Sequence, residues 1–147
     1  MNICFEIPGT PVAKGRPRFV NRGRFVQTYT PDKTASYENL VKLYCPNHYK
    51  LSGPLRAEFH FFFPVPKSVS KKRRNDMLNG VERPTKKPDL DNCIKSILDA
   101  LNGIAFDDDS QVVKVVAEKW YSEEPRAEVF LREYVDSFSE KMNPPEE

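Results

Sequence analysis

Acidic residues are concentrated in two short stretches near the middle of this 147-residue chain. Asp89 and Asp91 are separated by a single leucine, and Asp107, Asp108 and Asp109 follow within twenty residues. Carboxylates this close to one another repel unless a positive charge lies among them. Mg²⁺ supplies such a charge, and it binds a few carboxylates together with several waters. The two stretches therefore indicate a candidate site for a hard divalent metal ion.

The segment between the two acidic stretches has the periodicity of an amphipathic helix, predicted over residues 91–101. At about 100° per residue, Lys95 and Asp99 fall within about 80° of Asp91. The apolar residues form an adjacent stripe: Ile94, Ile97, Leu98 and Leu101. A helix amino terminus itself favours anions such as phosphate. Lys95, one turn beyond Asp91, would add positive charge at a phosphate bound there.

Each of these features also has a purely structural explanation. Acids are common at helix starts because the helix dipole stabilises them. Asp91 and Lys95 have the spacing of an ordinary surface ion pair, and the run Asp107–Asp109 suits a solvated turn. The pattern is not a calcium loop, which needs alternating ligands and a central glycine. Spacing alone leaves both explanations open.

The basic residues are placed where they could hold a polyanion. Residues 104–147 contain 12 acids and 5 bases, whereas residues 1–103 contain the other 18 bases and 9 acids. Basic loops neutralise phosphates and position nucleic acid without reading its sequence. A solvated positive surface explains the 71–74 run equally well. The candidate DNA-binding residues are Lys14, Arg16, Arg18, Arg22 and Arg24, then Lys71, Lys72, Arg73 and Arg74, and finally Lys86 and Lys87.

The composition predicts one compact domain in a reducing compartment. A hydrophobic content of 39% is enough for a packed core. Three cysteines, far apart, match neither a disulfide framework nor a zinc site, which favours the cytoplasm. The sequence shows no run of 18 apolar residues and no secretion signal, so no membrane association is expected. We expect a domain over residues 1–135 and a flexible polar tail over 136–147.

Strand and helix patterns alternate along the chain. Strands are expected at residues 2–7, 55–63, 112–121 and 126–134, and a hairpin turn at 21–24. Helices are expected from Pro31 to about Tyr44, from Ser70 to Leu78 and from Asp91 to Leu101, the first of them capped by Thr30. This alternation predicts an α/β (α+β) fold, with helices packed on one mixed sheet.

An ordered set of motifs extends over most of the chain. It comprises Lys87-Pro88-Asp89-Leu90-Asp91-Asn92, Lys95, Asp99-Ala100-Leu101 and Asp108-Asp109-Ser110-Gln111-Val112-Val113, with Pro8 to Arg18 near the start. The set resembles the RusA family of Holliday junction resolvases, and the segment from Pro8 to Arg18 resembles its phage-type branch. The resemblance implies a homodimer with a mixed α/β fold. It also implies cleavage of four-way junction DNA that depends on Mg²⁺, with Mn²⁺ as a substitute.

The resemblance also assigns roles to individual residues. In the family, two aspartates of an Asp-Leu-Asp pattern and one aspartate of a later pair bind metal, which implies Asp89, Asp91 and Asp109 here. The family's important lysine corresponds to Lys95, which completes the predicted catalytic set. Because this chain has a third acid in the run, Asp108 and Asp109 remain alternatives. Alignment on Gln111-Val112-Val113 favours Asp109.

Two other functions are compatible with the same residues. The chain could be a DNA-binding protein without catalysis, in which the acids only cap and solvate. It could also be a metal-dependent nuclease that acts on flaps, forks or RNA. Preference among branched substrates, measured with and without Mg²⁺, distinguishes the three functions.

Overall fold

In the computed structural model of the protein, the described residues are 1–15, 18–22, 25–29, 32–46 and 49–135, with the backbone alone for 18–22 and 25–29. The predicted tail, 136–147, lies outside them, as do Thr30 and Pro31, so their predicted roles stay predictions. The described elements are β1 (Asn2–Pro8), β2 (Arg18–Arg22), β3 (Phe25–Tyr29), α1 (Asp32–Tyr44), β4 (Leu55–Pro64), α2 (Lys71–Leu78), α3 (Leu90–Leu101), a 3₁₀ turn (Asp109–Gln111), β5 (Val112–Ser122) and β6 (Arg126–Glu133).

Four strands form the central sheet in the order β1-β6-β4-β5. The β4–β5 pair is parallel, whereas β6 pairs antiparallel with both β4 and β1. A parallel pair needs a long crossover connection, and here that connection contains α2 and α3. Strands β2 and β3 form a separate hairpin, as predicted. The mixed sheet with its helices confirms the predicted α/β (α+β) class.

The hydrophobic core lies between one face of the sheet and the helices α1 and α3. Side chains alternate between the two faces of a strand, and every second residue of β4, from Leu55 to Phe63, is buried. Helix α3 buries Ile97 and Leu101 in this core, as the predicted apolar stripe required. Tyr44 at the end of α1 is 46% exposed, whereas Cys45 just beyond the helix is buried.

The helices of the described ranges are short relative to a bilayer. None of them has both the length and the apolar composition needed to cross a membrane. The longest, α1, has 13 residues, whereas a transmembrane helix needs about 20.

Candidate active site

Two acids lie at the amino-terminal end of α3. Asp89 is the N-cap residue, with an extended backbone (φ −67°, ψ 143°), and Asp91 lies in the first turn. Both are exposed. Within the described residues, the Asp89 carboxylate makes no capping hydrogen bond. Both carboxylates are therefore available to an external ligand, at a helix end whose dipole favours negative charge.

A lysine from the sheet holds the turn that leads into Asp89. Lys119 on β5 donates hydrogen bonds to the carbonyl oxygens of Lys86 and Pro88, each at 2.8 Å. Because β5 is paired with the central strand β4, this ammonium anchors the turn to the sheet. Sequence reasoning missed Lys119. The signal that could have found it is a cation at a core-facing position of a strand.

The same lysine contacts the residue before Asp89, and it acts on the same thiol as the two acids. Burial raises the pKa of the Cys93 thiol to about 11; Lys119 opposes the shift, whereas Asp89 and Asp91 add to it. All three charges therefore act on one buried sulfur atom beneath the first turn of α3. The arrangement places a positive charge near the acid pair, which reduces the repulsion between the two carboxylates.

The middle of α3 carries Lys95 and Asp99 on its polar side. Lys95 is 58% exposed, and its Nζ lies 3.4 Å from Asp99 Oδ2. It therefore pairs with the acid one turn later, whereas the sequence had suggested a pair with Asp91. A second ammonium, that of Lys14, also lies 3.4 Å from Asp99. Asp99 thus shares its charge between two lysines and leaves Lys95 accessible.

Lys14, a predicted DNA-binding residue, is held within the protein. Its ammonium donates a hydrogen bond to Glu38 of α1 in addition to its contact with Asp99. Burial lowers the pKa of Lys14, but the two carboxylates outweigh this effect and hold that pKa above its usual value. Lys14 is therefore charged and joins α1 to α3, so its contacts indicate a structural role beside the predicted one.

Backbone contacts fix the start of the basic segment beside α3. The Lys14 amide donates to the Asn92 carbonyl at 3.0 Å, and the Ser96 hydroxyl donates to the Val12 carbonyl at 2.8 Å. The rest of the predicted DNA-binding set in this segment is less defined. Arg16 and Arg24 lie outside the described residues, and of Arg18 and Arg22 only the backbone, in β2, is described.

The remaining predicted DNA-binding residues differ in their contacts. Arg73 pairs with Glu82 and Arg74 with Glu123, at 2.8 and 2.9 Å. The other four are exposed lysines with no ion pair among the described residues: Lys71, Lys72, Lys86 and Lys87. These lysines are the cations of this part of the chain best placed to meet a phosphate backbone.

The three acids after α3 have different environments. Asp107 pairs with Lys50 at 3.1 Å. Asp108 caps the 3₁₀ turn, and its hydrogen bonds with Ser110 hold the pKa of its carboxyl below the usual value. Asp109 is half-buried, and its carboxylate has no hydrogen bond or ion pair within the described ranges. Of the three, Asp109 is the acid whose carboxylate has no structural partner there.

The three predicted metal ligands do not meet in a single chain. The Asp109 amide donates to Asn102 Oδ1 at 2.8 Å, just beyond the end of α3, whereas Asp89 and Asp91 lie at its start. A 12-residue helix is about 18 Å long. Accordingly, no group of three or more His, Cys, Asp or Glu suited to a metal ion occurs among the described residues. Two carboxylates with several waters still fit Mg²⁺, so Asp89 and Asp91 remain a suitable pair.

Comparison with known proteins decides the family. The model of the endodeoxyribonuclease RusA family matches residues 8–132. The chain belongs to the RusA family. An uncharacterized protein of Bacillus subtilis (strain 168), YqaN, is 43% identical over 136 residues, which are 89% of this chain and 96% of that protein. The resemblance expected from the motifs is confirmed, and RusA membership implies an endonuclease that resolves Holliday junctions. The placement in a phage-type branch stays a prediction.

Proposed function

We propose that this RusA protein is a Mg²⁺-dependent endodeoxyribonuclease of the cytoplasm that resolves four-way DNA junctions, with Mn²⁺ able to replace Mg²⁺. The observation that carries the proposal is the pair of exposed carboxylates, Asp89 and Asp91, at the amino terminus of a helix inside the RusA match. Hard oxygen donors at a helix end suited to phosphate are the parts that phosphodiester hydrolysis requires.

The residues at the start of α3 would have different roles at the scissile phosphate. Asp89 and Asp91 would hold the metal ion, and the ion would lower the pKa of a bound water and offset charge on the phosphoryl oxygens. Lys95, one turn further on and exposed, donates hydrogen bonds to a phosphate oxygen and stabilises the charge that grows there. Asp99 Oδ2 lies 3.4 Å from the Lys95 ammonium, which orients the lysine along the polar side of the helix.

Asp109 completes the proposed catalytic set as a third carboxylate. In one chain it lies at the far end of α3 from the other two acids. It therefore reaches the same phosphate only if segment 107–111 rearranges or if it belongs to a second copy of the chain. A homodimer suits the substrate, because a four-way junction has near two-fold symmetry and two copies can cut opposing strands.

The DNA arms would lie along the basic residues around this site. Lys86 and Lys87 directly precede Asp89, and Lys71 and Lys72 begin α2. Together with the arginines of segment 14–24, these residues would neutralise backbone phosphates. Such contacts position the junction without reading its sequence.

The decisive test is cleavage of a substrate panel by the full chain, with and without Mg²⁺. The panel contains a four-way junction, a fork, a flap, a linear duplex and RNA. We expect paired nicks in the junction, in the presence of Mg²⁺ only. Asp91→Asn should lower the cleavage rate at least about 100-fold, because a metal ligand is removed. Junction binding should persist, since one negative charge no longer repels the phosphates.

Asp107→Asn is the matched control, because it removes a similar carboxylate that already pairs with Lys50. It should cleave at nearly the wild-type rate. An Asp91→Asn variant that cuts at the normal rate would refute the assignment. Binding without any nick would instead indicate a non-catalytic DNA-binding protein, and a preference for flaps, forks or RNA would indicate another nuclease.

A further inference from the structure

The sheet has a second face, opposite the core, whose side chains form bands across the four strands. Residues paired between neighbouring strands point to the same side of a sheet, so the register defines rows on this face. One row is Asn2, Arg132, Arg56 and Lys114. The next is Cys4, Phe130, Glu58 and Val116, and the third is Glu6, Glu128, His60 and Glu118. We call these three rows the banded face.

The outer rows of the banded face carry opposite charges. The first row contains three cations, and the third row contains three carboxylates. The two rows are four residues apart along each strand, or about 13 Å. With Glu58 of the middle row included, the face carries three cations and four carboxylates, a mixture that is poorly suited to a polyanion such as DNA. It is complementary to a second copy of itself, rotated by a two-fold axis along the middle row, because each cationic row then faces a carboxylate row.

The middle row provides an apolar centre for such a contact. Phe130 is 38% exposed and lies between two surface depressions that both include Glu58. Cys4, its cross-strand neighbour, is also exposed. If a two-fold axis along this row relates the two copies, Phe130 and Cys4 of one copy lie near the same residues of the other. An exposed aromatic residue at the centre of a patch is typical of interface anchors.

The one acid of the middle row is already neutralised within the chain. Trp120 Nε1 donates to His60 Nδ1 at 3.1 Å, so the imidazole carries its hydrogen on Nε2 and donates it to Glu58 at 2.9 Å. Arg56 donates to the other Glu58 oxygen at 3.0 Å. Hydrogen bonds from His60 and then Arg56 hold the pKa of Glu58 below its usual value. Two copies of Glu58 could therefore approach without strong repulsion.

The chain itself covers the aromatic residues beyond the third row. The guanidinium of Arg83 lies 3.4 Å from the centre of the Trp120 ring, and that of Arg126 lies 3.9 Å from the Phe62 ring. The turn after α2 also approaches Trp120, since a Cβ on Gly80 would lie 3.2 Å from that ring. These contacts close one end of the banded face. Arg83 also pairs with Glu118 and Arg126 with Glu128, so Glu6 is the third-row carboxylate without an ion pair among the described residues, and the first and middle rows remain available to a partner.

From this pattern we propose that the banded face is the surface through which two copies of this chain pair, sheet against sheet. The proposal rests on the proposed function, in which two copies of the active site cut opposing strands of one junction, and it adds the surface through which the two copies pair. The pairing can be measured without DNA or Mg²⁺, so its failure is distinguishable from a failure of the nuclease activity.

The first measurement is sedimentation velocity of the full chain, combined with cross-linking by a short bismaleimide. Cys4 is exposed, whereas Cys45 and Cys93 are buried, so the reagent reports on the middle row. We expect a dimer that is cross-linked through Cys4. The Cys4→Ser variant should sediment as a dimer but not cross-link. Phe130→Asp should shift the protein to monomer, because a carboxylate replaces the apolar centre.

The second measurement uses two charge-reversal variants. It remains informative even if the Phe130→Asp variant does not fold. Lys114→Glu with Arg132→Glu leaves the basic row with two acids and one base. Glu6→Lys with Glu118→Lys leaves the acidic row with two bases and one acid. Each variant alone should be monomeric, because its two facing rows then have the same sign. An equimolar mixture should form a 1:1 heterodimer, because every row again meets its opposite.

Thermal unfolding of each variant confirms that it is folded, a check that matters because Glu118 also pairs with Arg83. The proposal is overturned if the wild type is monomeric or is not cross-linked through Cys4. It is also overturned if the folded reversal variants remain dimeric, or if their mixture stays monomeric. Loss of junction binding by a variant that is still dimeric would show instead that this face contacts DNA. In each of these cases the Mg²⁺-dependent cleavage test with Asp91→Asn still stands by itself.

Discussion

Asp107, Asp108 and Asp109 show how neighbouring residues of one type acquire different roles. Asp109 begins the 3₁₀ turn, Asp108 is its N-cap and Asp107 precedes it, and the three residues have different partners. Lys50 binds the first, and the Ser110 amide binds the second. The carboxylate of the third has no such contact in the described part of the chain, although its amide is fixed by Asn102. These contacts support Asp109 over Asp108 as the catalytic acid.

This difference predicts opposite effects for two substitutions. Asp109→Asn should lower the cleavage rate at least about 10-fold with little change in melting temperature, because its carboxylate bonds to no other described residue. Asp108→Ala should lower the melting temperature, because it removes the cap, with a smaller effect on cleavage. Circular dichroism melting curves and junction cleavage rates test both. A reversed pattern would make Asp108 the catalytic acid.

Lys14 illustrates the same point for a basic residue. Its position in a segment rich in arginine favoured contact with DNA. Its ammonium contacts Glu38 and Asp99, and a partly buried ion pair with two acids is costly to break, so the predicted contact with DNA would compete with these two pairs. Of the two lysines described beside Asp99, Lys95 is the more accessible, since 58% of its side chain is exposed against 19% for Lys14.

At the scale of elements, α3 is the scaffold of the candidate site. Its apolar side is buried against the sheet, and its first turn presents Asp89 and Asp91 to solvent. Contacts from outside the helix fix both the first half of α3 and the turn that precedes it. Segment 12–15 bonds to Asn92 and Ser96, and Lys119 holds the preceding turn. The acids are therefore positioned by the sheet as well as by the helix.

The contact made by Lys119 leads to a prediction about positioning. Lys119→Met should lower kcat about 10-fold and leave junction affinity nearly unchanged, because the turn before Asp89 loses its anchor. Hydrogen exchange of the amides in residues 86–90, other than Pro88, which has none, should become faster. Lys119→Arg should restore part of the rate, since a guanidinium can still donate to the two carbonyls.

Lys42→Met is the control for this prediction. It removes the same charge from an exposed position in the last turn of α1, away from the turn before α3. It should change neither kcat nor the exchange of residues 86–90. An unchanged exchange rate in Lys119→Met would show that the turn does not depend on this lysine.

At the scale of the whole molecule, charge is distributed unevenly along the chain. The 18 bases and 9 acids of residues 1–103 contrast with the 5 bases and 12 acids of residues 104–147. Several arginines and lysines form ion pairs within the chain, so fewer basic side chains are available to DNA than the number of bases suggests. The exposed lysines of the α2–α3 region remain for that purpose.

This distribution predicts the salt dependence of junction binding. Lys71→Ala with Lys72→Ala should reduce the slope of log K against log salt concentration by about 1 for each phosphate that is no longer neutralised. Fluorescence anisotropy with a labelled junction measures the slope, in an Asp91→Asn background that prevents cleavage. Lys33→Ala with Lys42→Ala removes the same charge from exposed positions of α1 and should leave the slope almost unchanged. Equal slopes for the two double variants would contradict the assignment of Lys71 and Lys72.

Local patterns in the sequence were enough to predict most elements of the fold. Alternation of apolar residues located β4 to within one residue of its observed end, and the 3.6-residue period located α3 to within one residue of its start. The order of strands in the sheet and the parallel pairing of β4 with β5 were not predicted. They depend on pairing between segments far apart in the chain, which no local period encodes.

The sequence by itself determined the candidate chemistry, because Asp89, Asp91 and Lys95 owe their relation to a single helix whose geometry is known in advance. Only the tertiary structure decided the contacts between distant segments. Lys119 meets a turn 33 residues away, and Lys14 meets an acid 24 residues away. It also placed Asp109 at the opposite end of α3 from its predicted partners. These relations follow from how the chain packs, and packing depends on the whole set of contacts at once.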